Sequence, residues 1–368
     1  IPATNSCPSQ ELADSIRAWT RECDLEHHDC SHQVRMLHGT SSTKAPTRLL
    51  DVRPSEDLVM IRLCESAELA SDLEYVTLSH CWGLQLPARL LKDNYPDMKS
   101  SIAIAMLPQT FRDAIHFTRL VGIRYLWIDA LCIIQDSHDD WLHESLLMAR
   151  TYSFAVLNIA STSASDGRGG LFRDRNLLLA TPCVIEATWS GHQPGRFVCV
   201  DESSFPREVE AGPLNSRAWV FQERILAPRT VHFARDQLWW ECRQSTACEA
   251  YPKGVPGPSL AADLPLVRGL TSLDYFSAEH DYIGANESWL GLLGAYTQTQ
   301  ITKDSDRLIA LAGIATVFYH QMKWAERDYY AGLWAHDLAV DLLWRVREEG
   351  SRTQKGFVAP SWSWASVN

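Results

Sequence analysis

Four short stretches of this 368-residue chain carry side chains able to do chemistry. SHCWG (Ser79 to Gly83) sets an imidazole, His80, beside a thiol, Cys81, just before a glycine that lets the backbone turn away sharply. WIDALC (Trp127 to Cys132) interrupts an apolar run with Asp129 and closes it with Cys132. Further on, HES carries Glu144, and QER puts Gln222, Glu223 and Arg224 in a row. One chemistry these residues allow is nucleophilic: Cys132 or Cys81 attacks, His80 serves as base, and Asp129 or Asp136 orients it. A thiol works only when its pKa is lowered, and a neighbouring imidazole or a helix start can lower it. The other is carboxylate acid–base chemistry, with Glu144 as a general acid or base. The candidate catalytic set is therefore His80, Cys81, Asp129, Cys132, Glu144, Glu223 and Arg224.

Plainer roles compete with each of these. Cysteine is among the most buried residue types and packs as a small hydrophobe. An unpaired carboxylate in an apolar run is costly, so Asp129 must find a partner, for which Arg217 or Arg224 is available. A buried carboxylate–arginine network clamping the two halves of the chain together accounts equally well for Asp129, Glu223 and Arg224. Asp139 and Asp140, at a helix start, are most simply capping residues.

A fifth stretch, CDLEHHDC, offers Cys23, His27 or His28, and Cys30, ligand types that suit zinc. The spacing matches no standard finger and no fourth ligand is evident, so no metal or cofactor is assigned. The glycine-rich SASDGRGGLF lacks the spacing of a dinucleotide fingerprint, and no P-loop occurs elsewhere.

The elements that position these residues follow from hydrophobic periodicity. YVTLSHCWG reads as a strand ending in a polar tip. LPQTFRDAIHFTRLVGI reads as a helix with Pro108 near its start. YLWIDALCII reads as a buried strand, Trp141 to Phe154 as a helix, and AVLNIA as a further strand. This strand–helix alternation predicts an open, mostly parallel α/β sheet of flavodoxin-like or Rossmann-like type, with a cleft at its carboxyl ends. PTRLLDV and DLVMIRLCE predict a hairpin turning at Pro54 and Ser55. Residues 180–202 alternate as strands, and a short helix around Trp219 to Leu226 precedes strands at Thr230 to Phe233 and Gln237 to Cys242. Trp289 to Thr297, Asp304 to Phe318 and Tyr330 to Arg347 read as amphipathic helices, and the WSW of APSWSWASVN alternates like a strand. The predicted units are a helix-and-hairpin segment over 1–70, an α/β domain over 71–250, a Pro/Gly-rich linker over 251–265, and an α-rich region over 266–368 packed on that domain.

A formal net charge of −11 argues against nucleic acid or an anionic membrane as the main partner. The ten cysteines are scattered in a chain too large to need disulfide staples, which favours a reducing compartment. The start, IPATNSCPSQ, has no basic or apolar leader pattern, and no apolar run is long enough to span a membrane. A cytoplasmic location is expected. The fourteen tryptophans read as core and interdomain filler.

Taken together, YVTLSHCWG, LPQTFRDAI, YLWIDALCIIQDSHDDWLHESLLMARTY, GRGGLF, RAWVFQERILAPR and QLWWEC resemble the fungal heterokaryon incompatibility (HET) domain family. The likeness extends to the flanks CDLEHHDC, PTRLLDV, DRLIALAGIA, YYAGLW and APSWSWAS. It implies a fungal intracellular effector of self/non-self recognition and programmed cell death, acting through protein contacts, with a protein partner or a second copy of the chain. The same fold, standing alone, would also suit an enzyme of specialised metabolism acting on a small molecule. A distant similarity of this family to TIR domains makes NAD cleavage a third expectation. The glutamate that carries it there follows the third strand, whereas Glu144 precedes it here, so that role is not transferred.

Overall fold

A computed structural model describes residues 9–28, 30, 45–54, 58–83, 88–176, 178–188, 194–256, 282–322, 326–346 and 357–367. Cys7, Ser55 and positions 257–265 of the expected linker lie outside them. The first helix, α1 (Gln10–Glu26), is capped by the Ser9 hydroxyl, which accepts the Leu12 amide at 3.2 Å. Its residues Leu12, Ile16, Trp19 and Cys23 recur at helical spacing and form its buried stripe.

The expected hairpin forms from β1 (Arg48–Asp51) and β2 (Met60–Glu65), paired antiparallel. Then come β3 (Tyr75–Ser79), α2 (Tyr95–Ser100), β4 (Ile102–Ala103), α3 (Gln109–Leu120), β5 (Tyr125–Trp127), α4 (Asp129–Cys132), α5 (His138–Ser153) and β6 (Leu157–Ala160). A separate exposed hairpin follows, of β7 (Cys183–Ala187) and β8 (Gly195–Cys199). The chain returns through α6 (Ala218–Leu226) to β9 (Arg229–Phe233), β10 (Leu238–Cys242) and β11 (Thr246–Cys248). Last come α7 (Tyr282–Tyr296), α8 (Ile309–Gln321), the short pair β12 (Tyr329–Tyr330) and β13 (Leu333–Trp334), and α9 (Leu338–Asp341).

Nine strands form one sheet in the order β11-β10-β9-β6-β3-β5-β1-β2-β4. Only β3 with β5, β3 with β6, and β6 with β9 are parallel. The expectation of a mostly parallel sheet is thus corrected: the sheet is mixed, a parallel centre flanked on both sides by antiparallel strands. The β1–β2 flank is legible as a hairpin and β9 and β10 as strands, but nothing in their residues shows that they extend the same sheet. From β3 the chain crosses through α3 to β5, then back through α5 to β6 on the other side of β3. Right-handed crossovers in opposite directions put α3 and α5 on opposite faces. Helix α1 packs against α3, whereas α6 and α8 pack with α5.

Two further expectations change. The run Tyr125 to Ile134 is not one strand: β5 ends at Trp127 and IDALC turns into α4, whose Cys132 amide donates to the Ile128 carbonyl at 2.8 Å. Short buried apolar runs do not distinguish strand from helix by pattern alone. Tyr330 to Arg347 is not one helix either, because Ala331 and Gly332 both take positive φ (45° and 98°) and close the β12–β13 turn. Of the WSW pair, Trp364 is buried in a single helical turn and Trp362 is exposed.

Arg48 ties the flank to the centre. Its Nε donates to the Cys132 carbonyl at 2.7 Å, and its Nη2 meets both Asp140 oxygens at 2.7 Å and Glu144 at 3.3 Å. Asp140 also accepts the Ile134 amide at 2.7 Å. Removing one partner of a buried ion pair typically costs about 3–5 kcal/mol. We expect Arg48→Ala to lose stability of that order in urea unfolding, and Glu144→Gln added to it to recover part. A loss under about 1 kcal/mol for Arg48→Ala would show that the network does not hold the flank.

Candidate functional site

Strand β3 runs between two parallel neighbours and delivers Ser79, His80 and Cys81 to its carboxyl end. His80 is almost fully buried, its ring edge-on to Phe111 at 4.9 Å. Its Nδ1 stands 3.6 Å from Asp129 Oδ1, and neither ring nitrogen has a hydrogen-bond partner among the described residues. Burial lowers its pKa, with Asp129 opposing, so the imidazole is held neutral. Asp129, at the first position of α4, is part-exposed. It accepts the Trp82 indole N–H at 2.8 Å and the Ala130 amide at 2.7 Å.

Helix α6 supplies the second half. Consecutive helical residues point about 100° apart, and three in a row find three different buried surroundings. Gln222 accepts the Gly313 amide of α8 at 2.9 Å. Arg224 makes a two-point bond to Glu241 of β10 at 2.7 and 2.8 Å. Glu223, between them, faces the sheet end, with the Ser79 hydroxyl and the Tyr152 phenol as neighbours. Burial, with the nearby Asp129 charge adding to it, pushes the Glu223 carboxyl up to about 7. Its Oε2 has no hydrogen-bond partner among the described residues. Arg217, which precedes α6, donates to the His80 carbonyl and so pins the helix start to the tip of β3.

The structure therefore brings His80, Asp129 and Glu223 to one place and sends the other candidates elsewhere. Cys132 is wholly buried in the core, and burial pushes its thiol up to about 12. Cys81 is packed with Ala160, Leu214 and Val220, and burial raises its thiol as well, against the pull of Arg217. Glu144 is engaged by Arg48. Arg224 belongs to a buried chain: Glu241 also bonds His232 at 3.0 Å, and His232 bonds the Thr162 hydroxyl at 3.1 Å. Sequence reasoning missed Tyr152, Arg217 as a link to His80, and Trp82 as a donor. Only Arg217 had a signal, as a cation near the QER helix. Side chains close enough to hold a metal ion occur among the described residues at Cys23, His27, Cys30 and Cys242, remote from this site along the sheet.

Residues 75–223 match the family described as heterokaryon incompatibility protein (HET). Over these residues the chain is similar to the HET domain. Its matched segment starts at the first residue of β3 and ends on Glu223, so it spans the parallel centre up to β6 and the groups gathered at its carboxyl end. No curated protein and no solved structure matches the chain. Among the described residues, no helix is long and apolar enough to cross a membrane.

Two measurements follow. On native protein at neutral pH, a thiol alkylator should label the exposed Cys183 and Cys199 and leave Cys132 unlabelled until unfolding, as read by peptide mass spectrometry. Native labelling of Cys132 would reopen the nucleophilic route. For Glu223, the folded pKa near 7 lies above the ordinary ~4.3, so the folded state binds more protons in between. Wild type should then lose stability relative to Glu223→Gln as pH rises from about 4.5 to 7, by up to about 3 kcal/mol, and the gap should stay constant above. A pH-independent gap between the two melting curves would refute the raised pKa.

Proposed function

We propose that this HET domain is a catalyst that moves a proton on a small polar molecule held at the carboxyl ends of β3 and β6, with Glu223 taking up and returning that proton. One observation carries the reading: Glu223 is buried, pushed up to about 7, and keeps one oxygen without a hydrogen-bond partner among the described residues, under the influence of Asp129, which also stands 3.6 Å from a neutral His80. A carboxyl poised near neutral pH gives and takes protons with similar ease, the condition for general acid–base catalysis. His80 accepts or relays a proton, Asp129 holds the imidazole and the Trp82 indole in place, and Arg217 fixes α6 against the strand tip. Buried polar atoms left without partners are uncommon in proteins, and a role in binding or proton transfer is one reason for a fold to keep them.

The sheet supports the same place. Counted along the chain, the four parallel strands lie in the order second, first, third, fourth, the flavodoxin-like order. Direction reverses at β3, and ligands of such sheets bind outside the carboxyl ends at that reversal.

The family description names heterokaryon incompatibility, and with the resemblance noted in the sequence we propose as a second aspect that the activity serves a fungal incompatibility and cell-death effector inside the cell. The test is untargeted metabolite profiling of a cell extract, with NAD added as one defined probe, incubated with wild type, Glu223→Gln and His80→Ala, alongside growth of yeast expressing each. Wild type should change a defined set of metabolites, and Glu223→Gln should slow that change by about 10²–10⁴-fold and restore growth. Absence of any change with wild type, or equal activity of Glu223→Gln, would overturn the reading. Toxicity that persists in Glu223→Gln would point to an effector acting through contacts with another protein or a second copy of the chain.

A further inference from the structure

Where β9 begins, at the end of the sheet away from the carboxyl end of β3, the end of α1 meets the end of β10. Cys23 lies in the last turns of α1, His27 is the residue that caps it, and Cys30 follows. Cys242 closes β10, more than two hundred residues later, and completes a group whose ligand atoms all lie within 4.8 Å of one another. Cys242 Sγ and His27 Nδ1 are 3.3 Å apart. A tetrahedral zinc with Zn–S bonds of about 2.3 Å needs ligand atoms about 3.8 Å apart, within small adjustments of this arrangement. The three thiols are buried, and the imidazole is half-buried.

The surroundings are built for negative charge. Arg243 is buried, 4% exposed, yet among the described residues its hydrogen bonds go only to the carbonyls of Cys30 (3.3 Å) and Leu226 (3.2 Å). Arg229 is buried beside the same thiols and pairs with Asp24 at 2.5 Å. A buried guanidinium with only neutral acceptors is costly, and three thiolates on a divalent ion leave a net charge of −1 for it to face. The Ser245 amide donates to Cys242 Sγ at 3.3 Å, a contact that orients a metal-bound sulfur.

We propose that Cys23, His27, Cys30 and Cys242 bind one zinc ion, as a closed structural site that fastens the amino-terminal helix to the β10 end of the sheet. Four protein ligands leave no open position, so the ion does no chemistry of its own. It acts as a cross-link between segments far apart in the chain, next to the packing of Trp19 on Trp240, whose ring centroids are 5.9 Å apart.

The test is elemental analysis of the full chain purified under reducing conditions, joined to cobalt substitution. About one zinc per chain is expected, and replacement by cobalt should give the visible bands of a tetrahedral ion with sulfur-to-metal charge transfer. Stripping with a chelator should lower the thermal midpoint, and zinc should restore it. Cys242→Ser should lose most of the metal, His27→Cys should keep it with a stronger charge-transfer band, and the neighbouring His28→Ala should keep full stoichiometry. Should Cys242→Ser fail to fold, the His27→Cys and His28→Ala pair still decides. A folded wild type that takes up no zinc, a disulfide among these cysteines found by mass spectrometry, or metal lost in His28→Ala but not in His27→Ala would overturn the proposal.

Discussion

Parallel pairing of β3 on both edges is the constraint on which the rest depends. With β5 on one side and β6 on the other, every residue of β3 is buried, and its polar continuation, His80, is driven into the interior along with the charged groups that face it. Groups so placed must either be satisfied or be held in a neutral form. The structure uses both solutions within a short distance. Arg48 with Asp140 and Glu144, and Arg224 with Glu241 and His232, are satisfied networks in which charge is retained. For Glu241 the pull of Arg224 and His232 outweighs burial and holds the carboxyl below its ordinary range. His80 and Glu223 take the other course, each pushed by burial towards its neutral form.

That contrast separates ion-paired from unpaired carboxylates better than residue type does. Glu144, Glu223 and Glu241 are all buried glutamates close to an arginine, and only Glu223 lacks a direct ion pair among the described residues. A paired carboxylate is a poor proton acceptor because its charge already stabilises a partner. Glu223 carries no such tie, and Asp129 nearby makes its ionised form less favourable still. The clamp reading weighed for Asp129, Glu223 and Arg224 thus applies to Arg224 and not to the other two, since Asp129 spends its oxygens on Trp82, Ala130 and the approach to His80.

Legibility in the sequence followed the range of the interaction. The β3 strand, α3, α5 and the β1–β2 hairpin were readable because periodicity and turn residues are local properties. Where a local pattern was ambiguous, as in the apolar run through Cys132, reading failed; where two residues in left-handed conformation decided the outcome, as at Ala331 and Gly332, it failed too. Sheet membership of the flanks could not be read, because β1 finds β5 and β10 finds β9 only through tertiary packing. The same limit hid the group at Cys242: CDLEHHDC shows three ligand types in one segment, and the fourth comes from a distant strand end. Among the site candidates, His80 and Asp129 sit at strand tips a pattern can locate. The neighbours Tyr152 and Arg217 reach the site from helix positions that look ordinary.

The short helix α6 explains how these pieces act as one. Its three consecutive residues are each fixed by a different element: Gln222 by α8, Glu223 by the β3 end, Arg224 by β10. A rotation of the helix that improved one contact would break the other two, so its setting is over-determined and Glu223 is held against Ser79 and Tyr152 with no ion-pair partner among the described residues. The amide contact at Gly313 shows how tightly this is drawn, since a Cβ there would meet the Gln222 carboxamide at 2.5 Å and Ala149 at 2.7 Å. Glu241, which anchors Arg224, is the neighbour of Cys242 on β10, so whatever fixes the end of that strand also fixes the register of α6. Glu223 is thereby positioned from outside its own surroundings, by the helices packed with α6 and by the strand end that meets α1.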